Sequence, residues 1–157
     1  MRARLISSLL AATLIACAGP ERVAPEGPPA PAGVFFPRLT GPQDSWPAAL
    51  ASGTLVERRG CVLLVSGDSR DGPAQGGSDG ELLIWPEEAR AERTDGGDLR
   101  ITVGEKLVGE TGDQVQLGGG LLGESRDAVN QAERMIGEPI PERCRADGGY
   151  WLTAPPS

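Results

Sequence analysis

Short apolar runs recur about every ten residues along most of this chain, and glycine, proline or acidic residues cut each one off before it can lengthen. The sequence holds 23 glycines and 14 prolines among its 157 residues. Glycine supplies turn conformations, and proline stops helices and interior strands, so such a chain builds many short elements. Hydrophobic residues at 39% are still enough for a core. Residues 53–66, GTLVERRGCVLLVS, predict two strands at 54–57 and 61–66, joined by the polar, glycine-ended connection Arg58-Arg59-Gly60. Residues 81–85, ELLIW, form a near-continuous apolar run closed by Pro86 and predict a central strand. Leu99, Ile101 and Val103 alternate as in a half-buried strand, and a turn or bulge follows at 103–106. Residues 106–108, 114–117 and 149–153 supply further short strands.

One segment has a different period. Residues 125–136, SRDAVNQAERMI, space Ala128, Val129, Ala132, Met135 and Ile136 at helical intervals. Ser125 is a good N-cap, Asp127 lies in the first turn, and Gly137 follows the last apolar residue. Residues 45–50, SWPAAL, read as a single helical turn, and the polar stretch 87–97 as helical for a turn or two. Residues 67–80 read as a long loop, and Phe35-Phe36 as an apolar pair docking on the domain. The sum is a mainly β fold, a small antiparallel barrel or sandwich with an OB-like arrangement among the options, plus one α-helix in the C-terminal half.

The start of the chain is of another kind. Arg2 and Arg4 precede an apolar run of eleven residues, 5–15, too short to span a roughly 30 Å hydrocarbon core. The run ends in Leu14-Ile15-Ala16-Cys17. This motif resembles the lipobox of bacterial lipoproteins. The resemblance implies cleavage between Ala16 and Cys17, a thioether from Cys17 to diacylglycerol, and acylation, for instance by palmitate, of the new amine. Two or three acyl chains anchor stably, where one is marginal. It also implies an extracytoplasmic place in the cell envelope. Ala18, rather than Asp, follows the cysteine, which favours the outer membrane in a bacterium with two membranes. The expected organisation is a signal peptide at 1–16, the lipidated Cys17 and a Pro-rich tether at 17–44, and a β domain at 45–157. The tether contains PERVAPEGPPAPA at 20–32, which has no apolar period with which to build a core.

Charge and cysteine count narrow the partners. The formal charge is −7, and loss of residues 1–16, which hold two arginines and no acid, takes it to −9. Such a surface repels phosphate backbones, and no basic stripe with interleaved aromatics appears, so nucleic acid is not an expected partner. The expected partners are the membrane, through the Cys17 lipid, and an envelope protein or small ligand. Beyond Cys17 the cysteines are Cys61 and Cys144. In an oxidising compartment an even pair reads as a disulfide; the alternative is two free thiols, with no histidine to activate either. Several short motifs lie between residues 50 and 153: Gly53-Thr54-Leu55, Gly60-Cys61, Ile84-Trp85-Pro86, Gly118-Gly119-Gly120, Ile140-Pro141-Glu142-Arg143-Cys144 and Tyr150-Trp151. Together they resemble a pattern shared by small bacterial domains, which implies the β fold and the disulfide and carries no activity.

Motifs with chemistry attached are weak. Gly118-Gly119-Gly120-Leu121-Leu122-Gly123 satisfies G-x-G-x-x-G and precedes the helix, but no room remains for a doubly wound sheet, so a tight strand–helix turn is expected. Asp68, Asp71, Asp79, Asp95 and Asp98 crowd glycine-rich loops, yet none of these glycines is followed by the glutamate that an EF-hand requires. With no histidine, and only Cys61 and Cys144 available, zinc has too few ligands and a Ser-His-Asp triad cannot form. No cofactor is expected. Trp85, Tyr150 and Trp151 read first as core anchors, or, if exposed together, as a recognition patch. The expectation is a non-catalytic binding or accessory module; the alternative is an extracytoplasmic enzyme that uses carboxylates.

Overall fold

A computed structural model describes residues 30–66 and 80–156. The N-terminal motif, with Ala16 and Cys17, the first part of the tether and the loop holding Asp68, Asp71 and Asp79 lie outside the described residues. Eight strands and one α-helix follow in order: β1 (Ala49–Arg58), β2 (Cys61–Val65), β3 (Glu81–Ile84), β4 (Ala89–Arg93), β5 (Leu99–Val103), β6 (Lys106–Glu110), β7 (Gln114–Leu121), α1 (Arg126–Ile136) and β8 (Tyr150–Thr153). A single 3-10 turn, Glu142–Cys144, lies between α1 and β8.

Five strands close a barrel in the order β1-β2-β3-β8-β7, with β7 returning to β1. Every pair is antiparallel except β3 with β8. Three strands in meander, then a parallel partner, then an antiparallel closing strand is the order of an OB-type barrel. The strands β4, β5 and β6 form a separate antiparallel sheet inserted between the third and fourth barrel strands in sequence. The fold is therefore mainly β, barrel-closed, with one helix, as the spacing of the apolar runs predicts.

Alternation along the strands sorts the buried side chains into two cores. Leu55 of β1 pairs with Leu64, Leu83 with Trp151, and Ala51 with Leu117. These residues come from all five barrel strands and share one core, so they face the interior. Ala89, Ala91, Leu99, Ile101 and Val103 of the small sheet belong to the same core. Phe36 stacks on Trp85 there, with centroids 5.3 Å apart and planes at 17°. The opposite faces of β2, β3 and β8 carry Leu63, Leu82, Ile84, Tyr150 and Leu152, which pack under Ala128, Ala132 and Ile136 of α1. Strands covered on both faces read as continuous apolar runs, which is why 81–85 shows no alternation.

The helix ends follow the sequence. The Ser125 hydroxyl accepts from the Ala128 N–H at 3.2 Å, and Gly137 takes a left-handed φ of 75° while its N–H donates to the Glu133 carbonyl.

Four local expectations are corrected. Residues 45–48 form no helical turn, and Ala49 and Leu50 instead open β1, because β7 reaches far enough to pair them with Gly119 and Gly118. The polar stretch after Pro86 is strand β4, held by five register positions against β5. Residues 118–120 lie within β7, not in a strand–helix turn. The folded unit also begins before residue 45. Phe36 and Leu39 are buried; the Phe35 N–H donates to the Gly60 carbonyl, and the Leu39 N–H to that of Trp85.

Candidate functional site

The disulfide expected from the cysteine count joins Cys61 and Cys144, with Cα atoms 5.5 Å apart. Cys61 is the first residue of β2, directly after the hairpin turn. Arg59 (φ 54°) and Gly60 (φ 74°) both sit in the left-handed region, as a two-residue type I′ connection requires, and Arg58 pairs with Cys61 across it. Gly60 has a second reason: a Cβ there would meet the carbonyl oxygen of Gly33. Cys144 ends the 3-10 turn between α1 and β8. Both cysteines are 1% exposed, so the bridge is sealed into the second core.

Arginines flank both ends of this bridge. Arg58 and Arg59 precede Cys61 in the hairpin, and Arg143 and Arg145 bracket Cys144. All four line one small cleft, of about 50 Å³, whose floor includes Leu63 and Cys144. Among the described residues its lining contains no carboxylate. The Nε of Arg143 donates to the Arg59 carbonyl at 3.1 Å, tying the two halves together across the opening. Arg145 is also felt below the surface. Burial pushes the Tyr150 phenol above its ordinary range, Arg145 draws it back down, and Glu133 raises it again. In a chain of formal charge −7, this is a local concentration of the opposite sign.

Two other concavities differ in character. One opens between Leu55–Glu57 of β1 and the turns at Asp98 and Gly112, with a volume of about 330 Å³. Beside it, Arg93 donates to both carboxylate oxygens of Glu57, at 2.8 and 3.2 Å. The other, of about 230 Å³, lies between Leu39, Pro42, Trp46 and Pro86.

The residues singled out from sequence separate into distinct places. Trp85, Tyr150 and Trp151 are 1%, 1% and 6% exposed, so they are core anchors and not a surface recognition patch. Trp85 and Trp151 point into the barrel, Tyr150 toward α1, because the strands that carry them are covered on both faces. Neither indole N–H has an acceptor among the described residues. Asp98 accepts from the Thr111 hydroxyl at 3.3 Å, which fixes the β4–β5 turn against the end of β6. Among the described residues no group of three or more Cys, Asp or Glu side chains gathers as a metal site would need. Within the Gly118–Gly123 segment, Gly119 and Gly120 serve packing: a Cβ on Gly119 (φ 146°) would strike the Leu152 carbonyl and stand 2.9 Å from Trp151 Nε1, and one on Gly120 would meet Pro47.

Glu81 is the unusual carboxylate. Burial alone raises its pKa, and its Oε2 is buried without a partner among the described residues. Sequence reading missed it, and missed the arginine cleft and Trp46. The signal for the cleft was present, since pairing Cys61 with Cys144 necessarily brings their flanking arginines together.

No known protein family, curated protein or solved structure matches the chain. No helix among the described residues is long and apolar enough to cross a membrane.

Proposed function

We propose that this chain is a lipid-anchored, extracytoplasmic protein of the bacterial cell envelope, whose barrel domain is a non-catalytic binding or accessory module. The observation that carries the reading is Leu14-Ile15-Ala16-Cys17 at the end of a short apolar run behind Arg2 and Arg4. The Cys61–Cys144 bridge supports it, because such bonds persist in oxidising compartments. The barrel interior is filled by large side chains, including Leu55, Leu64, Leu83 and Trp85, so a ligand binds at the surface of this fold rather than inside it. The Pro-rich stretch after Cys17 gives the domain reach from the membrane.

The test is metabolic labelling with a radioactive fatty acid in cells that express the full chain or its Cys17→Ser variant. The parent incorporates label and fractionates with membranes. The variant incorporates none and accumulates as a slowly processed precursor. A variant that is processed and released as the parent is would overturn the anchor.

A further inference from the structure

The described chain opens with a reversal. The Val34 N–H donates to the Pro31 carbonyl at 3.1 Å, and Gly33 takes a left-handed φ of 83°, the geometry of a tight turn. The turn is seated on the β1–β2 hairpin, where the Gly33 carbonyl lies against Gly60. After it, residues 35–39 run as a strap over the barrel. Phe35 bridges to Cys61, Arg38 bridges to Trp85, and the Leu39 N–H donates to the Trp85 carbonyl. A chain reversed at 31–34 is aimed back along this strap. At the far end of the strap, Leu39 lines the groove of about 230 Å³ together with Pro42, Trp46, Pro86 and Pro155. Trp46 is half-buried: it packs on the second core and still lines the groove.

We propose that this groove is the docking site of the chain's own proline-rich stretch, residues 20–29, which lie outside the described residues. Those residues read PERVAPEGPP, with four prolines in ten positions. Extended proline-rich segments dock in grooves with aromatic and apolar walls, because their stiff backbone loses little freedom on binding. The register follows from the turn. Counting back across it sets Ala30 opposite Phe35 and Glu26 level with Leu39, so Pro25 is the proline delivered to the groove. The contact is apolar in origin. Glu87 and Glu88 stand at the groove, and in the segment Glu21 and Glu26 outnumber Arg22. Docking shortens the tether: residues 17–29 reach about 40 Å when extended at about 3.1 Å each, and much of that length is taken up against the barrel when they dock. This last consequence rests on the lipid-anchored reading; the docking itself does not.

The test is nuclear magnetic resonance of the full chain carrying Cys17→Ser and Glu26→Cys. Cys61 and Cys144 are bridged, so a nitroxide label sits at residue 26 alone. A segment with an isolated affinity of about 0.1 mM, held by a short link at millimolar effective concentration, favours the docked form about tenfold. At that population, amide signals between 41 and 46, those of 87 and 88, and the Trp46 indole are expected to weaken about twofold or more relative to the turn at 94–98, at the other end of β4. Pro20→Ser/Pro25→Ser touches no barrel residue and is expected to restore these signals. Absence of the broadening, or broadening unchanged by the proline substitutions, would overturn the proposal. So would equal broadening in a mixture where the observed, isotope-labelled chain carries no nitroxide, which would make a second copy the occupant. Fatty-acid labelling is read on the parent chain, so a negative result here removes the docking and leaves the Cys17 anchor standing.

Discussion

Replacing both bridging cysteines by alanine (Cys61→Ala/Cys144→Ala) probes how the two cores are held together. The bond spans 83 positions, so it closes a loop of 84 residues counted inclusively. In the chain-entropy treatment, a loop of that length restricts the unfolded chain by roughly 4–5 kcal/mol at 25 °C. Both cysteines are fully buried, so the small cavity left by the two sulfurs adds to this loss. The loss is large beside a typical domain stability of about 5–15 kcal/mol. Urea denaturation followed by circular dichroism reads it directly. With a slope of about 2 kcal/mol per molar urea, the midpoint falls by about 2 M. The effect is local as well as global. The bridge fixes the segment between α1 and β8 to the start of β2, so amides of α1 exchange faster in the variant while those of β5 change least. A midpoint shift below about 0.5 M would refute the reasoning, since the bridge would then constrain nothing that the packing does not already fix.

Three further substitutions test the packing and the electrostatics. Gly119→Ala places a Cβ against the Leu152 carbonyl at a left-handed position and is expected to destabilise by about 3 kcal/mol or more, whereas Gly112→Ala meets open space and costs only about 1 kcal/mol of backbone strain; equal melting temperatures for the two variants would contradict the close β7–β8 approach. Burial raises the Glu81 pKa, so the folded state holds that proton more tightly than the unfolded chain does, and the associated stability is present at low pH and lost as pH rises through the raised value. Glu81→Gln is therefore expected to gain stability over the parent above neutral pH and to lose that advantage near about pH 4; thermal melts at the two pH values show it, and an advantage that grows toward low pH would reverse the assignment.

The legible parts of the fold were those where local pattern and tertiary demand agree. The run 81–85 is apolar because β3 is covered on both sides, and the period of 125–136 is helical because one stripe lies on the barrel. Strand β4 was hidden. Ala89-Arg90-Ala91-Glu92-Arg93 uses alanine as its inward residue, so helix-favouring composition masks the alternation, and pairing with β5 decides the outcome. Glycines 118–120 mislead in the same way. Their shared property looks like turn chemistry, but Gly119 is small to admit β8, and Gly120 to admit Pro47. The arginine cleft is legible only in two steps, because its halves are more than eighty residues apart and meet through the disulfide. Glu81 was not legible at all, since no pattern in ELLIW distinguishes a buried carboxylate from a solvated strand end.

Intact-mass spectrometry of the protein extracted from cell membranes tests the central claim most directly. The account predicts a polypeptide that starts at Cys17, carries diacylglycerol on that sulfur, and is two hydrogens lighter for the Cys61–Cys144 bond. A polypeptide that still starts at Met1, or one that starts elsewhere and carries no lipid, would contradict it.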